Sequence, residues 1–326
     1  MAIELLNPTG VPALLFRTAV DETRMAAAVV ARVTYDLARD GSVRRAEIQP
    51  WGVSASPWDG PAGPMPSDEV FYRGGVDLFV FGEAWTPGGR PAPISRVQIK
   101  IAGRLQASLT VFGDRVWVGR TQALKISPPA AFTSMPLTAA RAYGGRAAWD
   151  GLEVAFPDNP EGKGFCLAED RAAGTPLPNL EAPACQIRRW CDTPEPVGTG
   201  VCSRSFGARV RAGTTFDRQG RLTALRGAFF NDAFPALVAG AVEAGDPIEL
   251  DGVSPDGPLR LVVPPPPLLV QVAIGAARVT APLRIDQIGI EPAQRRCFIT
   301  YRYPFRYRVT ARERRTCALA EPGRTG

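Results

Sequence analysis

The sequence predicts an all-β or β-dominated fold: an antiparallel sandwich- or barrel-like scaffold with long ordered Gly/Pro-rich loops and one or two short helices. Three observations carry this. Short apolar stretches with period-two alternation recur along the chain, as half-buried strands require. Glycine and proline account for 33 and 32 of the 326 residues, so turns are frequent and long helices are not. Helical periodicity surfaces in one stretch only.

Residues 29–37 open the series. Val29, Ala31, Val33, Tyr35 and Leu37 point one way and Arg32, Thr34 and Asp36 the other, the pattern of a strand with one wet face. Asp40-Gly41 turns the chain towards a second strand near 43–48. Residues 51–66 are rich in Pro, Gly and Ser and read as a loop, whereas 76–85 are apolar on both faces, as in a strand buried on two sides. Val97, Ile99 and Ile101 alternate, Gly103 turns, and Leu105, Ala107, Leu109 and Val111 alternate again, so a hairpin is expected. Gly113-Asp114 leads into a strand at 116–118. Leu259, Leu261 and Val263 alternate before Pro264 to Pro267, a stiff polyproline-type connector. Residues 268–274, 283–290 and 297–303 read as strands, with 291–295 turning the last hairpin. The helical stretch is 233–244, where Phe234, Leu237, Val238, Ala241 and Val242 follow Asn231-Asp232 as a cap. One large domain, 1–326, fits the length. So do two fused β subdomains, about 1–120 and 200–310, joined by a loop-rich region at 120–200.

Composition narrows the chemistry. The chain has no histidine, which removes Ser-His-Asp and Cys-His catalysis and histidine-ligated metal sites. Its net charge of +6 permits acidic partners without demanding them. Arginine dominates the basic residues, with Lys100, Lys125 and Lys163 the lysines, a bias read as coding preference; no nucleic-acid partner is expected. The basic stretch from Arg306 to Arg315 reads as a flexible, solvated terminus. The first residues lack the basic and apolar regions of a signal peptide, and prolines interrupt the uncharged stretch 261–277. A cytoplasmic protein without stable membrane insertion is therefore expected. The spacings of Cys185, Cys191 and Cys202 match no common zinc module; reduced thiols are expected, or a local disulfide in an oxidising space. No cofactor or metal is expected. Gly162-Lys163-Gly164 resembles a phosphate-cradling loop only superficially, because no strand-to-helix context surrounds it.

The most informative stretch lies mid-chain. It runs Arg141-Ala-Tyr-Gly-Gly145, then Phe156-Pro-Asp-Asn-Pro-Glu-Gly-Lys-Gly-Phe165, then Leu177-Pro-Asn-Leu-Glu181. Such a stretch cannot hold a long helix or a central strand, yet Tyr143, Phe156, Phe165, Leu177 and Leu180 punctuate it with apolar anchors. A long ordered loop packed on a scaffold is expected. These three elements, in this order, resemble the signature of the bacterial family called domain of unknown function 2169. Further blocks extend the resemblance over roughly 25–305: Val33-Thr-Tyr-Asp36, Glu47-Ile-Gln-Pro50, Asp77-Leu-Phe-Val-Phe-Gly-Glu-Ala84, Pro87-Gly-Gly-Arg90, Val111-Phe-Gly-Asp-Arg115, Phe230-Asn-Asp-Ala233 and Gly245-Asp-Pro-Ile-Glu-Leu250. Between about 186 and 230 the chain departs from the family pattern: the usual Trp-Pro-Arg and Asp-x-x-Trp elements are missing. The resemblance implies a non-enzymatic adaptor or chaperone. It would bind a toxin effector and help load it onto the type VI secretion spike, the trimeric valine-glycine-repeat protein (VgrG), with or without a proline-alanine-alanine-arginine-repeat (PAAR) tip.

Within the signature, Tyr143, Gly144, Gly145, Asn159, Pro160, Gly162, Gly164, Phe165, Pro178 and Asn179 are expected to build a rigid loop. Arg141, Arg146 and Trp149 are the candidate partner-binding residues, being of types enriched at interface centres. The bland alternative is a surface connection whose glycines and Asp158-Asn159-Pro160 serve turn geometry. No catalytic residue is assigned. A carboxylate-dependent hydrolase acting on polysaccharide stays as the alternative, with Asp150, Glu153, Asp158 and Glu161 as its candidates.

Overall fold

The computed structural model describes residues 3–310 and 313–323. Its backbone is β-dominated, with several antiparallel sheets and no closed barrel. The largest sheet has seven strands. In spatial order they are Ala13–Ala19, Arg24–Leu37, Arg296–Arg308, Arg284–Glu291, Val76–Val80 and Val238–Ala239, with Val43–Arg45 paired beside Arg24–Leu37. All neighbours run antiparallel except Val76–Val80 and Arg284–Glu291, which are parallel. A five-stranded sheet orders Leu180–Glu181, Leu105–Phe112, Ile94–Ile101, Pro247–Asp251 and Leu259–Val262. A four-stranded sheet orders Leu5–Leu6, Arg315–Ala320, Leu269–Ile274 and Ala277–Pro282. The buried side chains of all three form one apolar cluster, drawn from both ends of the chain. Each fully buried Leu, Ile or Phe in it contributes about 1.5–3 kcal/mol.

The expected hairpin of 97–111 forms as Ile94–Ile101 and Leu105–Phe112, turning at Gly103, whose φ of +67° suits glycine. The last hairpin turns where expected, with Arg295 at φ +46°. Other expectations need correction. The strand read at 29–37 spans Arg24–Leu37, and most of its polar face is dry: Arg32 and Thr34 are fully buried, and only Asp36 of the three meets solvent. Alternation reveals that two faces differ in polarity, not that the polar one is wet. Residues 46–70 account for the difference. Gln49 accepts from Thr34 N at 2.6 Å and donates to Thr34 O at 3.1 Å, and Asp68 pairs with Arg32 at 2.6 Å. The loop read at 51–66 contains a small hairpin, Trp58–Gly60 with Gly63–Met65, whose Trp58 ring lies 4.2 Å from the Arg32 guanidinium carbon.

The helix expected at 233–244 does not form. Pro235–Leu237 makes one 3-10 turn, after which Val238–Ala239 joins the large sheet. Asn231 and Asp232 are engaged elsewhere. Asn231 Nδ2 and the backbone N–H groups of Asp232 and Ala233 all donate to the Asp77 carboxylate, at 2.9–3.2 Å. The α-helix described is instead Gly207–Gly213, which no propensity signal marked. The basic tail is also corrected. Arg306 to Arg308 continue a sheet strand, and Arg315–Ala320 is an inner strand that buries Cys317 and Leu319. Residues 311–312 of that call lie outside the described residues.

Charges run through the interior in a connected series. Arg73 Nη1 reaches Asp232 at 2.6 Å and Asp77 at 3.4 Å, while its Nε reaches Asp286 at 3.1 Å. Asp286 also accepts from Arg302 at 3.0 Å, and Asp232 from Arg209 at 3.1 Å. These groups are almost wholly buried. They join the sheet, the 231–233 turn and the helix Gly207–Gly213.

Candidate functional site

The signature elements fold onto one another. Tyr143–Gly144 and Lys163–Gly164 pair as a two-residue parallel ladder. Gly145 N donates to Asn159 O at 2.8 Å, Lys163 N to Ala142 O at 3.0 Å, and Phe165 N to Gly144 O at 2.9 Å. Asn159, buried, donates through Nδ2 to Ala139 O at 2.8 Å and Tyr143 O at 3.0 Å. Pro160 turns the chain between these contacts. The glycines are required by contact as well as by dihedral angle. A Cβ on Gly144, whose φ is +142°, would lie 2.1 Å from Asn159 O, and one on Gly164 (φ +100°) 2.7 Å from Pro178 Cδ. Gly145 and Gly162 close on backbone oxygens in the same manner.

Beneath this knot lies a small apolar core of its own. Tyr143, Trp117, Ala172, Leu177 and Ile187 are buried, with Phe156 and Phe165 packed against them. The Tyr143 and Phe156 rings meet edge-on at 5.0 Å, and those of Phe156 and Phe165 lie tilted to each other at 5.4 Å. Burial pushes the Tyr143 hydroxyl up to about 12. Leu180 goes instead into the main core, because Leu180–Glu181 pairs with the edge of the five-stranded sheet.

A polar hub fastens the loop to that sheet. Asn179 N donates to Arg141 O at 2.8 Å; its Nδ2 donates to Phe112 O at 2.9 Å and Asp114 Oδ1 at 3.1 Å. Arg141 and Lys163 also reach Asp114 Oδ1, each at 3.3 Å. The Asn179 hydrogen bond, with Lys163 and Arg141 beside it, lowers the Asp114 pKa. Burial lowers that of Lys163, with Asp114 opposing. Arg115 Nη2 donates to Pro178 O at 2.7 Å and Glu181 at 2.6 Å; burial raises the Glu181 pKa, against Arg115. The hub residues Asp114, Arg115 and Glu181 went unnoticed in the sequence as functional positions, although all three stand inside its quoted blocks.

Of the candidate contact residues, Arg141 is thus held inside the hub, whereas Arg146 and Trp149 are exposed on a hairpin, Arg146–Trp149 with Leu152–Ala155. Asp150 (φ +50°) and Gly151 (φ +76°) form its two-residue turn, a signal the dipeptide carries and the sequence reading passed over. The register puts Trp149 opposite Leu152 and Ala147 opposite Val154 on one face. Trp149, Leu152 and Val154 are 47, 69 and 37 % exposed. Arg146 pairs with Glu153 at 2.7 Å, and the Arg171 guanidinium carbon lies 5.2 Å from the Trp149 ring centre.

The four candidate carboxylates do not converge. Asp150 sits in the turn, Glu153 is paired, and Asp158 accepts from Gly207 N at 2.8 Å. Glu161 lines a cavity of about 550 Å³ between the loop and the large sheet, together with Glu83 and Glu291. Burial raises the Glu291 pKa, with Arg296 opposing. All six cysteines are free thiols, with Cys185 and Cys191 exposed and Cys202 buried. Among the described residues no group of Cys, Asp and Glu is arranged to hold a metal, and no helix is long and apolar enough to cross a membrane.

These features define a β-rich scaffold with an interlocked central loop and a protruding hairpin. The family model described as an uncharacterized protein conserved in bacteria (DUF2169) matches residues 22–302, and the chain belongs to that family. No curated protein and no solved structure matches it.

Proposed function

We propose that this protein is a cytoplasmic, non-enzymatic adaptor or chaperone that holds a toxin effector and helps load it onto the type VI secretion spike, VgrG, with or without a PAAR tip. One observation carries the reading: a rigid loop, locked to the scaffold, presents a hairpin whose apolar face of Trp149, Leu152 and Val154 is open to solvent. Apolar side chains clustered on an exposed face mark interaction sites, and aromatic and arginine anchors dominate interface energetics. Arg146 and Trp149 are the contacts and Arg141 the fastening. Co-purification with the effector encoded beside the gene tests the proposal. Failure to retain any such effector, with export unchanged on deletion, would remove it.

The hydrolase alternative keeps one supporting observation, the convergence of Glu83, Glu161 and Glu291 on a single cavity with Glu291 shifted in the direction a general acid needs. It predicts polysaccharide turnover that Glu291→Gln abolishes in a folded protein. Full export by the Glu161→Gln, Glu291→Gln double variant, with no turnover in the parent, would dismiss it.

A further inference from the structure

A cavity of about 870 Å³ is lined by Arg73, Arg284, Asp286, Arg302 and Glu243, the last paired with Arg104 at 3.2 Å, with Leu283 among its apolar walls. No signature-loop residue borders it. Arg284 and Arg302 stand directly opposite each other on adjacent antiparallel strands, so both side chains leave the same face of the sheet. Like charges in that relation destabilise a ladder. The register then slips between Ile285 and Gln287, and Asp286 is the extra residue of that bulge. Bulges re-aim side chains. Here a single oxygen, Asp286 Oδ2, accepts from both Arg302 Nε at 3.0 Å and Arg73 Nε at 3.1 Å.

The two guanidinium groups are unequally compensated. Arg73 has Asp77 and Asp232 as well. Arg302 has no second carboxylate within 4 Å among the described residues. Its Nη1 turns to the carbonyls of Asp68 and Val70, and its Nη2 is buried without a partner. The exposed Arg284 side chain makes no ion pair or hydrogen bond among the described residues. Burial lowers the Arg302 pKa; Asp286 opposes this, and the like charge of Arg73 adds to it. The cavity wall therefore carries one buried donor without a partner, Arg302 Nη2, beside the unpaired guanidinium of Arg284.

We infer that this cavity binds the carboxylate group of a ligand with an apolar body, held between Arg302 and Arg284. The free guanidinium fork of Arg284 matches a planar carboxylate, Arg302 adds the single donor Nη2, and the volume lies within the roughly 300–1,000 Å³ typical of small-molecule sites. A phosphate would bring a second charge into walls that are mostly apolar.

The test is calorimetric titration of the full chain with N-acetylleucine, its amide, hexanoate and inorganic phosphate. A carboxylate should bind saturably and the amide should not. Arg284→Gln should weaken binding at least tenfold at an unchanged melting temperature, because Arg284 is exposed. Arg302→Lys, which keeps the charge but removes Nη2, should weaken it as well. If that buried variant fails to fold, Arg284→Gln decides alone. Tighter binding of N-acetylleucine than of hexanoate would identify a polypeptide carboxyl terminus as the guest, and the reverse a free acid. Equal binding of the amide, an Arg284→Gln variant that binds like the parent, absence of saturable binding, or binding of phosphate alone would overturn the assignment.

Discussion

Asp114 is exposed, yet three side chains, one from each signature element, converge on it: Arg141, Lys163 and Asn179. Its pKa is lowered in the folded state. The stabilisation it lends is thus present above the carboxyl value of the unfolded chain and disappears as pH falls through the lowered folded value. Asp114→Asn should lower the melting temperature at pH 7, and the gap from the parent should close as pH falls below about 4, as a series of thermal scans would show. At Gly144 the demand is steric. Gly144→Val places a β-branched side chain at φ +142° against Asn159 O, at an expected cost of about 1–3 kcal/mol. An unchanged urea midpoint would show that the loop relaxes around the intrusion. Phe165 is only half-buried, so its truncation should fall below the roughly 3–5 kcal/mol of a fully buried phenylalanine.

At the scale of elements, legibility followed the reach of the forces involved. The hairpin of Ile94–Ile101 and Leu105–Phe112 was readable because a local turn and one wet face determine it. The helix read at 233–244 failed because Asn231, Asp232 and Ala233 donate to Asp77, some 155 residues away, and Pro235 and Gly240 then leave no room for a second turn. The blocks in the sequence have a shared structural meaning. Val33–Asp36 meets Glu47–Pro50 through Gln49, Asp77–Ala84 meets Phe230–Ala233 through Asp77, and Val111–Arg115 meets Leu177–Glu181 through Asn179 and Arg115. Each of these six blocks is half of a lock made by a buried or half-buried polar side chain. A single sequence shows the halves and not their pairing, so the loop was legible as ordered while its fastening was not. The small hairpin Arg146–Ala155 was missed although Asp150-Gly151 announces it.

Across the whole molecule, buried charge stands where an apolar contact would have sufficed for burial. Arg32 and Asp68 are sealed between the long strand and the 46–70 segment, with the Trp58 and Phe298 rings at 4.2 and 5.1 Å from the guanidinium carbon. Removing one partner strands the other, so Asp68→Ala should cost about 3–5 kcal/mol. The double variant Arg32→Met, Asp68→Leu should recover most of that loss, since a buried pair often exchanges with apolar residues at little cost. Urea titrations of the single and double variants measure the difference. Additive losses would mean that the pair is not the unit of stabilisation.

In the proposed division of labour, the signature residues lock a loop, and the hairpin that the loop carries would capture the partner. Melting temperature and effector capture, measured together on Gly144→Val and on the Trp149→Ala, Leu152→Ser double variant, test it most directly. Gly144→Val should melt lower, and the hairpin variant should melt within a degree or two of the parent yet lose at least tenfold in capture. A hairpin variant that retains the effector as well as the parent does would contradict it.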